Sequence, residues 1–125
     1  MAIYESGEMY LETILVLKKR GLEHVRAIDI VKEMNYSKPS VSIALANLKK
    51  EGYVTVDANG YVEFTEAGAK IAKKTYEKHT YITKMLIDLG VSEKTASEDA
   101  CRIEHVISDE TFKVIKKYYK NKSEK

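Results

Sequence analysis

Residues 37–64 read SKPSVSIALANLKKEGYVTVDANGYVEF. Ser37 carries a hydroxyl suited to capping the first free amides of a helix, and Pro39, the only proline, is tolerated in a first turn. Val41, Ala44, Leu45 and Leu48 then recur at helical spacing, and Gly52 stands where such a helix closes. The opposite face is Pro39, Ser42, Ile43 and Ala46. Two β-prone segments follow, 53–56 and 61–64, joined by Asp57-Ala58-Asn59-Gly60, whose Asn-Gly pair is a hairpin signal.

Upstream, Tyr10, Ile14 and Leu17 predict a helix over 8–19 that stops at Gly21. Ile28, Val31 and Met34 predict a short helix over 26–34, broken at Asn35-Tyr36. Three helices followed by a hairpin make a winged helix-turn-helix. Downstream, Thr65 predicts the cap of a long helix ending at Gly90, Ser92 caps a fifth helix, and Ser108-Asp109-Glu110 opens a last helix to about Tyr119. The fold expected is mainly α, with a winged helix lobe over 1–64 and a helical lobe over 65–125.

The chain has 125 residues, 21 basic and 19 acidic, and a net charge of +2, so overall charge alone does not mark a nucleic-acid binder. A single cysteine forms no internal disulfide, and neither a membrane span nor a signal peptide is read in the sequence, so a cytoplasmic location is expected. The lysine-rich run 120–125 reads as a frayed, solvated tail, and Tyr118-Tyr119 as a packing surface for a helix or a partner.

In a winged helix the third helix enters the major groove, which requires its exposed face to be small or polar. Ser37, Lys38, Pro39, Ser40 and Ser42 meet that requirement. Ile43 on the same face could touch a thymine methyl group, although scattered exposed apolar residues are common. Arg26 and Lys38, at two helix starts, suit phosphates. Some winged helices serve only as protein-interaction modules, but a small, cation-flanked face favours double-stranded DNA.

Cys101, Glu104 and His105 stand at i, i+3 and i+4, which share one face of a helix. Taken singly, a cysteine is commonly core and a Glu-His pair commonly solvated surface. Together a thiolate, a carboxylate and an imidazole could hold a divalent transition metal. Met9 and Glu12, one turn apart on the first helix, and His79 on the fourth add three more donors.

These residues carry a resemblance. Glu8-Met9-Tyr10-Leu11, Ser37-Lys38-Pro39-Ser40-Val41-Ser42, Thr65 to Gly68, Lys78-His79 and Asp99 through Glu110 resemble the iron- and manganese-dependent metalloregulators of the diphtheria toxin repressor family. The resemblance implies a homodimeric repressor of metal-uptake genes, with a helical metal-binding and dimerisation lobe after the winged helix and no counterpart of the third domain of longer members. Met9, Cys101, Glu104 and His105 match the primary metal site of iron-responsive members. Glu12 matches a ligand position of manganese-responsive members, and His79 a ligand position in both. Thr83 and Ser97 stand where a second, ancillary site has a carboxylate and a histidine, and Ile43 replaces a glutamine of the recognition helix.

Fe(II) is the first choice of ion, from the soft donors Met9 and Cys101, with Mn(II) second on account of Glu12. A rival reading is a winged helix regulator answering to a small organic ligand or to oxidation of Cys101. An enzyme is not expected: the chain carries no His-Glu-x-x-His motif, no Ser-His-Asp set and no phosphate-cradling glycine loop.

Overall fold

The computed structural model of the chain describes the backbone of residues 5–123 and the side-chain surroundings of residues 7–120. The order of elements is α1 (Glu5–Lys19), α2 (Ala27–Met34), α3 (Lys38–Lys50), β1 (Val54–Val56), β2 (Val62–Phe64), α4 (Glu66–Asp88), α5 (Glu93–Ile103) and α6 (Asp109–Ser123). Two compact units, Met1–Lys74 and Thr75–Lys125, divide within α4.

In the first unit α1 buries Tyr10, Leu11, Ile14 and Leu17, a stripe at helical spacing. They join Val25, Ile30, Val41, Leu45, Leu48, Val54 and Val62 in one core. Removing such side chains from water is the main term holding these short elements together, at roughly 1.5–3 kcal/mol for each fully buried Leu, Ile or Val. On α2 the inward positions are Ala27, Ile30, Val31 and Met34, so Ile28, one of the apolar positions that mark the helix in the sequence, faces outward and is 39% exposed. The reason is rotational: Ile30 fixes the phase of the helix, and Ile28 lies two residues, about 200°, away from it. The Asp29 carboxylate accepts from the Arg26 amide at 2.9 Å to open α2. Asn35, with φ 57°, closes it by donating its backbone N–H to the Val31 carbonyl.

Ser37 caps α3, its hydroxyl oxygen accepting from the Ser40 amide at 3.2 Å. At the other end the amides of Gly52 and Tyr53 donate to the carbonyls of Lys49 and Leu48, the five-to-two and six-to-one bonds of a Schellman motif. That closure uses the Tyr53 amide, and the Tyr53 carbonyl accepts from Thr65 at 3.1 Å. Strand β1 therefore begins one residue later than the sequence suggests. The hairpin pairs Val54 with Phe64, Thr55 with Glu63 and Val56 with Val62, and Val25 bridges to Val62 on the outer side. Its turn is not the mirror-image type that Asn-Gly favours. Asn59 keeps a negative φ and only Gly60 is left-handed, at φ 81°, with the Gly60 amide bonded to the Asp57 carbonyl at 3.0 Å. This is a longer loop built on an ordinary turn followed by a left-handed glycine.

Thr65 joins hairpin to helix. Its hydroxyl accepts from the Gly68 amide at 3.1 Å, capping α4, and donates to the Gly52 carbonyl at 2.6 Å.

In the second unit Thr75, Ile82, Ala96, Ala100, Phe112 and Tyr119 are buried. Tyr81 meets Phe112 edge to face at 6.0 Å, and Lys116 pairs with Glu77 at 2.9 Å. Ser92 and Ser108 cap α5 and α6 through the amides of Thr95 and Thr111. Two expectations change here. Helix α5 ends at Ile103, so Glu104 and His105 lie in the turn after it; and α6 continues to Ser123, so the tail expected to fray from Lys120 is helical through that residue, with 124 and 125 outside the described residues. Of the tyrosine pair, Tyr119 packs inside while Tyr118 is 60% exposed. No helix among the described residues is long and apolar enough to cross a membrane.

Candidate metal centre and DNA-reading surface

The turn after α5 preserves the spacing that the sequence suggested. Glu104 has helical dihedrals, φ −59° and ψ −24°, and its amide still bonds the Ala100 carbonyl at 2.9 Å. Cys101, Glu104 and His105 thus keep their i, i+3, i+4 relation, and their ligand atoms lie within 4.8 Å of one another. Glu104 is 1% exposed, and the His105 ring is buried completely. Burying a carboxylate is costly unless an opposing charge or hydrogen bonds compensate it.

One Glu104 oxygen is compensated within the unit. His79, on α4, places Nδ1 3.0 Å from Glu104 Oε2. The other oxygen, Oε1, has no hydrogen-bond partner among the described residues and faces His105 Nε2 at 3.3 Å. A buried carboxylate oxygen beside an imidazole nitrogen and a thiol matches a transition-metal donor set. The residues therefore fit a divalent ion.

His79 Nε2 lies 3.4 Å from Ser97 Oγ, and Thr83 Oγ1 is buried with no hydrogen-bond partner among the described residues. In the first unit, Met9 and Glu12 are half-buried on α1, and the Met9 carbonyl accepts from the Thr13 hydroxyl at 2.8 Å.

The candidate DNA-reading residues lie together in the first unit. Ser37, Lys38, Pro39, Ser40, Ser42 and Ile43 are all exposed, Ile43 at 63%, while Val41, Leu45 and Leu48 point into the core. Arg26 is exposed at the start of α2, with its guanidinium 5.5 Å from the centre of the Tyr61 ring. His24 stacks on the same ring at 4.2 Å and 4°. Sequence reasoning missed this cluster, because the bridge that brings 24–26 beside the hairpin has no local signal. It also missed Asn47, exposed one turn beyond Ile43. The i, i+4 spacing from Ile43 could have found it, and an amide there can read an adenine edge.

Residues 2–62 match the model for the iron dependent repressor, N-terminal DNA binding domain, and residues 65–125 that for the iron dependent repressor, metal binding and dimerisation domain. An uncharacterised HTH-type transcriptional regulator of Methanocaldococcus jannaschii is 35% identical over 113 residues, covering 90% of each chain. The diphtheria toxin repressor of Corynebacterium diphtheriae is 32% identical over 97% of this chain and 54% of its own length. The solved structure of the manganese regulator SloR has a TM-score of 0.80 at 28% identity, over 96% of this chain and 55% of that one. The chain thus spans about half the length of these last two relatives. With a matching model for each half of the sequence, the chain belongs to the iron-dependent repressor family, whose members are metal-dependent, DNA-binding transcriptional regulators.

Proposed function

We propose that this protein represses metal-uptake genes, binding its operator as a homodimer when Fe(II), or secondly Mn(II), is bound. The observation that carries the reading is the group Cys101, Glu104 and His105, with Glu104 buried, Cys101 half-buried and a carboxylate oxygen left for a ligand. Residues 1–64 read DNA, and residues 65–125 hold the metal and the partner copy.

Cys101, Glu104 and His105 would hold the ion together with Met9 and Glu12 of α1, the thioether and thiolate favouring Fe(II) and the added carboxylate suiting Mn(II). When bound, the ion would supply the positive charge that the buried Glu104 carboxylate and the half-buried Cys101 thiolate need. The chain's own residues do the rest. Ser37, Lys38, Ser40 and Ser42 present small polar groups to the groove and phosphates, Pro39 starts the helix without a free amide, and Ile43 meets a methyl group. Arg26, held over Tyr61, meets a phosphate beside the wing. A homodimer presents two such faces, suited to half-sites about 34 Å apart.

Gel-shift assays on genomic fragments, run anaerobically with Fe(II), Mn(II) or chelator, test the reading. Cys101→Ala and His105→Ala are expected to lose metal-dependent DNA binding while remaining folded dimers. Undiminished metal-dependent binding in both variants overturns it. A response to peroxide that survives chelation would favour the oxidation reading instead.

A further inference from the structure

We infer that His79 is a positioning residue for Glu104, not a metal ligand, and that this chain takes one transition-metal ion where its family's pattern provides a second, ancillary site. The inference rests on the reading of Cys101, Glu104 and His105 as ligands.

Both ring nitrogens of His79 are engaged. Nδ1 lies 3.0 Å from Glu104 Oε2, and an ionised carboxylate can only accept there. Nε2 lies 3.4 Å from the Ser97 hydroxyl, which can donate to it or accept from it. These two contacts hold the ring between Glu104 and Ser97, so that a metal bound at either nitrogen would have to break one of them.

The groups around His79 point the same way. Thr83, four residues on and on the same side of α4, offers a buried hydroxyl with no hydrogen-bond partner among the described residues. Ser97 offers a second hydroxyl. Neither brings negative charge, whereas a divalent ion is held by carboxylate, thiolate or imidazole donors. Two neutral hydroxyls and an imidazole already committed to Glu104 make a poor second site.

The contact with Glu104 improves the first site. Fixing Oε2 sets the rotation of the buried Glu104 carboxylate and leaves Oε1 facing His105 Nε2 at 3.3 Å. A ligating carboxylate is commonly oriented by such a hydrogen bond, and losing it typically weakens metal binding by roughly 10–100-fold.

Co(II) is the probe, titrated anaerobically into the full chain and followed by its thiolate charge-transfer and ligand-field bands, with bound metal counted after dialysis. The wild-type chain is expected to take one Co(II) in a single transition. His79→Ala should keep one Co(II) and unchanged band positions while binding roughly 10–100-fold more weakly. His79→Asn places an amide N–H near that of Nδ1 and should recover most of the affinity; this variant tests the inference even if the alanine variant fails to fold. A second cobalt equivalent that disappears in His79→Ala overturns the inference, as does an altered ligand-field spectrum in either variant or a failure of Asn to restore affinity. Cys101→Ser provides the separate check. Survival of the charge-transfer band in that variant overturns the underlying metal reading, whereas its loss, with the His79 outcomes as expected, supports both.

Discussion

Gly68→Ala should destabilise the DNA-reading unit, although alanine is the better helix former. A β-carbon at position 68 would lie 1.9 Å from the Tyr53 carbonyl oxygen and 2.8 Å from its carbon, where ordinary contact begins at 3.4 Å. The backbone at Tyr53 would have to retreat by about 1.5 Å, the difference between 3.4 and 1.9. It has little freedom to do so: the Tyr53 amide is tied to Leu48 at 2.9 Å and its carbonyl to Thr65 at 3.1 Å. The helix-propensity gain of about 1 kcal/mol is matched by the loss of the Thr65 hydrogen bond, also about 1 kcal/mol. What remains is the overpacking itself, about 1–3 kcal/mol. Urea unfolding followed by circular dichroism should show a lower midpoint at an unchanged slope. A midpoint equal to or above that of the parent refutes the close approach of α4 to the start of the hairpin.

Lys38→Ala should weaken binding about equally on all DNA sequences and reduce the salt slope by about 1, measured as affinity against salt concentration. Asn47→Ala should instead relax preference at a single base pair by about 1–3 kcal/mol, seen in binding to a panel of singly substituted operators; uniform weakening would show that Asn47 meets only phosphate. Metal affinity should fall as pH drops from neutral to mildly acid, because thiolate and neutral imidazole are the binding forms; a flat titration argues against Cys101 and His105 as ligands. Burial, with the neighbouring Tyr36 phenol, raises Tyr10 above its ordinary 10.0, and burial, with Asp88 nearby, raises Tyr119. Groups raised on folding give stability that is complete below pH 10 and lost as pH rises through the raised values. Tyr10→Phe should flatten that alkaline decline in urea midpoints, and an unchanged decline would count against Tyr10.

The order of helices and hairpin was legible because each element carries its own stop or start. Ser37, Ser92 and Ser108 cap as their positions suggest, and α1, α3 and α4 end just before Gly21, Gly52 and Gly90. The phase of α2 was less legible: a helix of eight residues holds too few apolar positions to distinguish Ile28 from Ile30. The turn type at Asn59-Gly60 was decided by the Asp57 carboxylate, a competitor that a dipeptide rule ignores. At the site, the spacing from Cys101 to His105 pointed to one helical face, and the backbone keeps that face although α5 formally ends at Ile103. The pairing of His79 with Glu104 and Ser97 joins positions 25 and 18 residues apart, so no local pattern announces it.

At the wing tip, Asp57 Oδ1 accepts from the amides of Asn59 and Tyr61 at 2.8 and 2.9 Å. Asp57 is exposed and keeps its charge, but through that one oxygen it organises the turn. The loop's shape therefore rests on Asp57 and Gly60, and the exposed Ala58 between them carries no structural duty of its own. Position 58 is where this wing can change what it touches during divergence, gaining a basic or polar side chain while the hairpin beneath it stays as it is.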